Sequence, residues 1–200
     1  MATYDTADME PSEIYKLLIG LVVPRPIAWI GTQYQDRPNL APFSFFNTVS
    51  ADPPVIVFSS SGPSDSPKDT LFNISETGAF THNVVSRSFA ERMNISSGSY
   101  PAHVDEFALA GVTPVMGDIV LAPRVAEADA SMECTLLDIV SFGEGKLSGN
   151  LVIGTVVRFH LADDLVENFR VDSDRLDAVG RMAGDQYATT KDRFALERPA

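Results

Sequence analysis

Short apolar segments separated by turn-forming residues dominate the hydrophobic pattern of this chain. Continuous or imperfectly alternating apolar runs predict β-strands over residues 26–33, 40–50, 55–60, 79–85, 124–128, 132–142 and 151–161. The last two runs flank a Gly-Glu-Gly-Lys turn at 143–146, which predicts a β-hairpin. Six or seven strands with few helices are typical of a mainly β protein, a β-barrel with peripheral helices.

Helical signals are confined to three short segments. The clearest predicts a helix over residues 68–77, because Ser66 suits the N-cap, Pro67 the first helical position and Gly78 the end. Ser12 is the expected N-cap of a helix over 14–18, and residues 88–91 have capping-box spacing for a helix that ends near residue 96. Residues 97–111 are predicted to form a long loop.

Composition narrows the class of protein. The chain has 200 residues, 44% of them hydrophobic and 21% charged, which predicts one globular domain over residues 1–200. No apolar run approaches the ~20 residues that span a bilayer, and the first residues lack a signal-peptide pattern, so we expect no membrane association. The single cysteine, Cys134, excludes an internal disulfide and fits a reducing, cytoplasmic location.

The charge balance argues against nucleic acid as a ligand. Lys and Arg total 15 against 27 Asp and Glu, so the formal net charge is −12. A chain this acidic repels a phosphate backbone. Any phosphate-bearing ligand must therefore be held by a few local donors against an unfavourable overall field.

Residues 59–70 (SSSGPSDSPKDT) combine phosphate-binding residue types just before the clearest predicted helix. Ser59 and Ser60 offer hydroxyl groups. Lys68 and Thr70 stand at the helix N-terminus, where free backbone N–H groups and a partial positive charge favour an anion. The same composition also fits a solvated serine-rich loop with a helix cap, and the spacing leaves both interpretations open.

Two further segments have residues that suit a flat ring. Residues 25–32 contain Arg25 and the only tryptophan, Trp29, next to small residues that let a ring approach the backbone. In residues 39–47 (NLAPFSFFN), Ser44 and Asn47 could hydrogen-bond the polar edge of a heterocycle while phenylalanines supply apolar walls. Both segments fit ordinary core strands equally well, so the pattern alone names no ligand.

Other catalytic or metal-binding patterns find little support. His82, His103 and His160 are scattered along the chain, and the carboxylates that follow His103 suit a solvated loop better than a metal site. Cys134, in a predicted strand, suits a small buried hydrophobe rather than a nucleophile. The sequence contains no G-x-S-x-G, P-loop or G-x-G-x-x-G pattern. We therefore predict no metal site and no catalytic side chain of these types.

The order of several short motifs resembles one known family. The motifs are PRPIAWIGT (24–32), NLAPFSFFN (39–47), SADPP (50–54), KDTLFNI (68–74), FTHNVV (80–85), SSGSYP (96–101), DEFALAG (105–111) and GRMAGDQYATT (180–190). Together they are similar to the flavin reductase-like, FMN-binding split-barrel family, and most similar to its flavoredoxin-type branch. The likeness extends over nearly the whole chain.

The resemblance implies a six-stranded Greek-key split barrel that works as a homodimer with FMN near the subunit interface. It implies that the FMN phosphate lies near Ser59, Ser60, Lys68 and Thr70. It places the isoalloxazine ring along residues 41–44 and its polar edge at Asn47, with Arg25 and Trp29 close to the ring. The residues it implies for cofactor binding are Arg25, Trp29, Ala41, Pro42, Phe43, Ser44, Asn47, Ser59, Ser60, Lys68 and Thr70. Ser99, Tyr100 and residues 184–187 are expected to line the outer cleft.

The activity implied is that of an NAD(P)H-dependent flavin reductase, which passes electrons through FMN to an acceptor or to a separate monooxygenase component. The hydride chemistry belongs to the flavin, so no catalytic acid or base is expected. Two alternatives remain open: a flavoredoxin-like electron carrier with little NAD(P)H activity, and a non-enzymatic split-barrel scaffold. Arg87, Arg92 and Arg181 are unranked candidates for contacts that would favour NADPH over NADH.

Overall fold

The computed structural model describes residues 1–199, and most of the structure is antiparallel β-sheet. The strands are β1 (Arg25–Pro26), β2 (Ala28–Tyr34), β3 (Arg37–Phe43), β4 (Phe46–Ala51), β5 (Pro54–Ser61), β6 (Ala79–Val84), β7 (Pro114–Met116), β8 (Pro123–Val125), β9 (Ala130–Phe142), β10 (Gly149–Leu161), β11 (Val166–Glu167), β12 (Arg170–Val171), β13 (Val179–Arg181) and β14 (Tyr187–Thr189). The α-helices are α1 (Pro11–Leu21), α2 (Asp69–Thr77), α3 (Ala90–Ile95), α4 (Glu106–Ala110) and α5 (Ser173–Leu176). The mainly β fold class is therefore as predicted.

Seven strands form the main sheet, in the order β3-β2-β6-β9-β10-β5-β4. The two outermost strands, β3 and β4, follow one another in the chain and are joined by residues 44–45. The sheet curls into a barrel, and because β3 and β4 do not pair with each other in the described chain, this barrel stays open. Residues 40–50, predicted as one strand, bend at Ser44 and Phe45 and so supply parts of two strands at opposite edges of the sheet. The strand predicted over residues 124–128 pairs instead in a separate two-stranded sheet, β7-β8.

The β9–β10 hairpin is the longest pairing of the sheet and confirms the strongest local prediction. The two strands pair from Gly149–Phe142 at the turn to Leu161–Ala130 at the far end. Irregularities near Ile153–Gly154 and near Val156–Arg158 bend the ladder. Such irregularities raise the local twist, which helps a sheet to curl.

The N-cap residues of the helices differ from those predicted. α1 begins after Glu10, whose carboxylate shares a reciprocal capping box with Glu13, so Ser12 is not its cap. α2 has Lys68 at the N-cap position, without a side-chain cap, instead of Ser66. Gly78 ends α2 as predicted, with a φ of 66° that favours glycine. The predicted capping box at 88–91 is wrong, because a 3₁₀ turn over Arg87–Phe89 precedes α3.

The two larger apolar clusters hold most of these elements together. The interior of the open barrel contains Ile30, Phe58, Phe80 and Val152 in a single cluster. A second cluster on the outer face of the sheet contains Trp29 and brings β2 and β3 against α3 and α4. β2 is therefore buried on both faces, which explains its continuous apolar sequence.

A small three-stranded sheet, β1-β13-β14, brings residues 179–189 next to β1. Its register aligns Arg25 with Arg181, and Arg181 with Tyr187. In residues 1–199 no helix has the length and apolar character needed to cross a membrane.

Candidate functional site

A cleft runs along β3 between the N-terminus of α2 and residues 96–100. Its first part, the α2 cavity, has a volume of about 240 Å³. Its walls include Ala41, Pro42, Phe43, Pro67, Lys68, Thr70, Ser99, Tyr100 and Glu106. The structure thus brings three of the predicted ring-binding residues together with two of the predicted phosphate-binding residues.

The second part of the cleft, the Arg181 cavity, has a volume of about 210 Å³. Its walls include Tyr15, Ile27, Pro42, Ser44, Met93, Asn94, Ser97, Arg181 and Tyr187. Pro42 and Ser97 line both cavities, so the two parts adjoin at these residues. Ser44 therefore lies at the opposite end of the β3 wall from Lys68.

The N-terminus of α2 offers donors at the end of the α2 cavity. No side chain caps this helix, so its first backbone N–H groups have no side-chain acceptor. Lys68 is exposed, and its Nζ lies 3.3 Å from the Ser61 hydroxyl. The Thr70 side chain is buried and lies 3.3 Å from Asn39 Nδ2. A lysine, a hydroxyl and free amides at one helix end can hold an oxyanion.

Ser59 and Ser60 lie on β5 rather than in the walls of the α2 cavity. Ser60 is fully buried, and its hydroxyl has no hydrogen-bond partner within residues 1–199. Ser59 pairs with Leu151 of β10, and its hydroxyl reaches towards Gly149, where an added Cβ would lie 2.8 Å from it. The β5 serine that contacts Lys68 is Ser61, whose hydroxyl lies 3.3 Å from Lys68 Nζ. This contact was missed in the sequence.

Trp29 is fully buried and does not line the cleft. Its indole Nε1–H donates to the Ser96 hydroxyl at 2.9 Å, and that hydroxyl in turn donates to the carbonyl oxygen of Met93. Ser96 begins the segment that forms one wall of the α2 cavity. Trp29 therefore positions this wall from behind.

Arg25 is buried and holds three segments together. Its Nη1 donates to the carbonyl oxygens of Ile19 and Val22 at the C-terminal end of α1, and its Nη2 donates to that of Met182. Its Nε lies 3.5 Å from the Ser44 hydroxyl, behind the Arg181 cavity. Burial lowers the pKa of Arg25 below its usual value, and the nearby positive charge of Arg181 adds to this effect.

Asn47 lies outside the cleft. It is exposed on β4, and its side-chain oxygen accepts from the backbone N–H of Thr48. It lines an apolar groove of about 790 Å³, here named the β4 groove, with Phe46, His82, Val156 and Phe159 among its other residues. Ile27 lines both this groove and the Arg181 cavity. Within one copy of the chain, Asn47 therefore lines the β4 groove, whereas Ala41, Pro42, Phe43 and Ser44 line the cleft.

Glu106 is the main cleft residue that sequence reasoning missed. It was assigned to a solvated loop, but it begins α4 and is only 8% exposed, and its carboxylate accepts from the Leu40 backbone N–H at 3.3 Å. Burial raises the pKa of Glu106, and the negative charges of Asp69 and Asp105 raise it further. The signal that could have revealed it is Asp105, a good N-cap for a helix that buries Phe107.

The cluster of Asp118, Glu133 and His160 is satisfied internally. The Glu133 carboxylate accepts from the backbone N–H groups of residues 118–120 and lies 2.7 Å from His160 Nε2. Burial would raise the pKa of Glu133, but these hydrogen bonds outweigh it and lower the pKa to about 2. Asp118 forms an ion pair with Arg158. The cluster therefore holds a loop in place, and its carboxylates are already engaged.

A comparison with protein families decides the family. The model of the flavin reductase-like domain matches residues 20–178, a span that contains the β3 wall, α2 and residues 96–100. The chain belongs to this family. As a flavin reductase-like protein it has the split-barrel fold that its motifs predicted.

Solved structures of related proteins share this fold. The chain is 34% identical to nitrilotriacetate monooxygenase component B from Bacillus cereus, with a TM-score of 0.93 and 98% of both chains covered. It is 29% identical to 2-nitrobenzoate 2-nitroreductase from Pseudomonas fluorescens, with a TM-score of 0.89 over 99% of this chain and 96% of the other. Flavoredoxin of Desulfovibrio vulgaris has the same fold, with 22% identity, a TM-score of 0.78 and 97% of both chains covered.

Proposed function

We propose that this flavin reductase-like protein binds FMN in the cleft and reduces it with NADH or NADPH, passing electrons to an acceptor or a separate monooxygenase. The observation that carries the proposal is the layout of the cleft along β3. Anion-binding groups of α2 stand at one end, the β3 wall runs between, and two arginines stand at the other end. A ligand with a phosphate at one end and a flat, polar-edged ring at the other fits this layout.

The α2 end would hold the FMN phosphate. Lys68 would neutralise its charge, and Thr70 and the uncapped N–H groups of α2 would donate hydrogen bonds. Ser59 and Ser60 would have an indirect part in the proposed site. They belong to β5, the strand that places Ser61 next to Lys68.

The β3 wall would hold the ring, with Ala41, Pro42 and Phe43 along one side and Ser44 at its end. Arg25 would act through the Ser44 hydroxyl, and Trp29 through Ser96. Asn47 would join the site only in a homodimer whose interface includes the β4 groove. We therefore include the homodimer in the proposal.

Bound FMN would supply the hydride-accepting and electron-transfer chemistry. The protein's own residues would bind the phosphate, orient the ring and limit the access of water. The positive charges of Arg25 and Arg181 would favour negative charge at the ring end of the cleft. No acid or base is needed for the hydride step itself.

The relative from Bacillus cereus supports a separate oxygenase partner, because it is described as component B of a monooxygenase. The shared fold with flavoredoxin keeps a second candidate, an FMN electron carrier with little NAD(P)H activity. The buried, single Cys134 agrees with a reducing cytoplasm. Anaerobic addition of NADH or NADPH separates the two candidates: rapid bleaching of bound flavin supports the reductase, and slow bleaching by both supports the carrier.

The first test is the visible spectrum of the protein after incubation with FMN and removal of the excess on a desalting column. Flavin bands in the protein fraction would support the proposed site. A colourless fraction that still turns over FMN with NAD(P)H would mean that FMN exchanges as a substrate. A colourless fraction without turnover would contradict the proposal and favour a scaffold.

Lys68→Ala tests the assignment of the phosphate end. We expect the Kd for FMN to rise about tenfold or more, because one charge-assisted contact to the phosphate is lost. The rate of flavin reduction at saturating FMN should stay within about twofold, since Lys68 lies at the far end of the cleft from the ring. Fluorescence titration and stopped-flow absorbance measure the two quantities.

Lys146→Ala is the matched control, because Lys146 is an exposed lysine in the turn between β9 and β10. Its FMN affinity should equal that of the unmodified protein. A Lys68→Ala variant with unchanged FMN affinity but slow reduction would overturn the phosphate role of Lys68.

A further inference from the structure

A row of three side chains crosses the small β1-β13-β14 sheet. Arg25 of β1 is directly opposite Arg181 of β13, and Arg181 is directly opposite Tyr187 of β14. Directly opposite residues of antiparallel strands project from the same face. The guanidinium of Arg181 accordingly lies over the Tyr187 ring, 4.6 Å from its centroid.

The two arginines lack an acidic partner. Within residues 1–199, no carboxylate lies within 4.0 Å of either guanidinium, although Arg158, Arg175 and Arg193 all form ion pairs. Like charges placed opposite each other in a sheet are destabilising. In a chain with a net charge of −12, two neighbouring cations without a carboxylate make a local positive site.

The two arginines differ in the donors that remain. Arg25 is buried, and both of its terminal nitrogens already donate to backbone carbonyl oxygens. Arg181 is half-buried in the wall of the Arg181 cavity, and within residues 1–199 only its Nη2 donates a hydrogen bond, to the carbonyl oxygen of Gly184. Arg181 therefore keeps N–H groups for a ligand, while Arg25 contributes a fixed charge behind it.

The rest of the cavity suits a flat anion. Asn94 and Ser97 supply polar side chains, while Ile27, Met93 and the Tyr187 ring supply apolar surface. A guanidinium binds carboxylate and phosphate oxygens in a fixed, often bidentate geometry. These side chains are not among the residues proposed to hold the FMN phosphate at the α2 end of the cleft.

We propose that the Arg181 cavity is a second anion subsite, which binds the carboxylate or phosphate of the electron donor or acceptor that meets the flavin. Arg181 is the ligand-contacting residue, and Arg25 is a positioning residue. This inference rests on the proposed function for the identity of its ligand. The binding site itself can be tested with and without FMN.

The test compares a charged and an uncharged probe of the same shape. Benzoate and benzamide are titrated by calorimetry into the protein with and without FMN, and NAD⁺ and NADP⁺ into the protein with FMN. The variants are Arg181→Gln, which removes the charge, and Arg181→Lys, which keeps it. Arg193→Gln is the control, because this exposed arginine pairs with Asp174 and does not line the cleft.

We expect benzoate to bind the unmodified protein more tightly than benzamide does. Arg181→Gln should weaken benzoate or the nucleotides by about tenfold, which corresponds to one charge-assisted hydrogen bond. Benzamide should change by less than about twofold, and Arg181→Lys should recover part of the loss. Loss of benzoate alone identifies a carboxylate source, and loss of the nucleotides alone identifies a phosphate source.

Three results would overturn the proposal. These are equal binding of all probes by the Arg181→Gln and unmodified proteins, an equal loss of benzoate and benzamide, and a loss of FMN affinity with unchanged anion binding. The last would mean that the arginine pair serves the flavin alone and binds no second anion. Discrimination between benzoate and benzamide by a protein that neither retains FMN nor turns it over with NAD(P)H would contradict the proposed function and leave the subsite standing.

Discussion

His82 is a buried imidazole whose two ring nitrogens have no hydrogen-bond partner in residues 1–199. It stacks on Phe46, with ring centroids 4.7 Å apart. Burial lowers the pKa of His82 from 6.5 to about 4. Between pH 6.5 and 4, His82 is therefore protonated in the unfolded chain but neutral in the folded protein. The free energy of unfolding falls as the pH drops through this range, by up to about 3 kcal/mol.

Replacing His82 with Phe should remove this pH dependence, because phenylalanine keeps the ring stack and cannot be protonated. Urea unfolding at a series of pH values between 7 and 4 measures it. The exposed His103 provides the control, and His103→Phe should keep the slope of the unmodified protein. An unchanged slope in His82→Phe would mean that His82 is not responsible.

At the residue scale, some of the predicted site residues line the candidate cleft, while others lie behind it or on another surface. Lys68, Thr70 and residues 41–43 line one cavity. Each of them could be predicted from a local signal, either the start of a helix or a strand of small and aromatic residues. Trp29 and Arg25 lie behind the cleft because their side chains hydrogen-bond to other segments of the chain. Ser96 and Met182, which they contact, are distant in the chain, and no local pattern predicts such pairs.

At the scale of elements, Glu133 fastens residues 117–120 to β9. The buried carboxylate accepts three backbone hydrogen bonds, and Gly117 leaves room for it, since an added Cβ there would lie 2.8 Å from Glu133 Oε2. Glu133→Gln puts an N–H donor where an acceptor is needed. We expect a loss of about 3 kcal/mol in the free energy of unfolding at pH 7, measured by urea denaturation.

The pH dependence of that loss has a definite sign. The pKa of Glu133 is lowered from 4.5 to about 2, so its stabilising effect is complete above 4.5 and disappears as the pH falls towards 2. The difference between Glu133→Gln and the unmodified protein should therefore shrink over that range. Asp138→Asn, at an exposed carboxylate on the same strand, is the control and should be nearly neutral. A constant difference down to pH 2 would contradict the assigned role.

The elements that sequence reasoning predicted well are those with local signals of sufficient length. α2 ends at a glycine, and β9 and β10 flank a turn, so each could be recognised from its own residues. α4, with five residues, and β7, with three, are too short to show a period. Because α4 was assigned to a loop, the buried carboxylate of Glu106 was missed with it.

On the scale of the whole molecule, the β4 groove is an apolar surface that no other part of residues 1–199 covers. It contains apolar side chains of β4, β5 and β10, and Phe159 in it is 56% exposed. Contiguous exposed apolar patches mark interaction sites in soluble proteins. The proposed homodimer gives this groove an occupant, a second copy of the chain, and would bring Asn47 to the interface.

Phe159→Glu tests this arrangement. A charge in an apolar interface costs several kcal/mol, so we expect the variant to be monomeric at micromolar concentration, where the unmodified protein is dimeric, by light scattering after size exclusion. Phe169→Glu is the matched control, because Phe169 is fully exposed on the turn between β11 and β12 and lies outside the groove. If the Phe159→Glu variant stays dimeric, or if the Phe169→Glu variant dissociates instead, the dimer interface does not include the β4 groove. If the flavin lies at the interface, FMN retention should fall together with the dimer, whereas a cleft that is complete within one copy would keep FMN in the monomer.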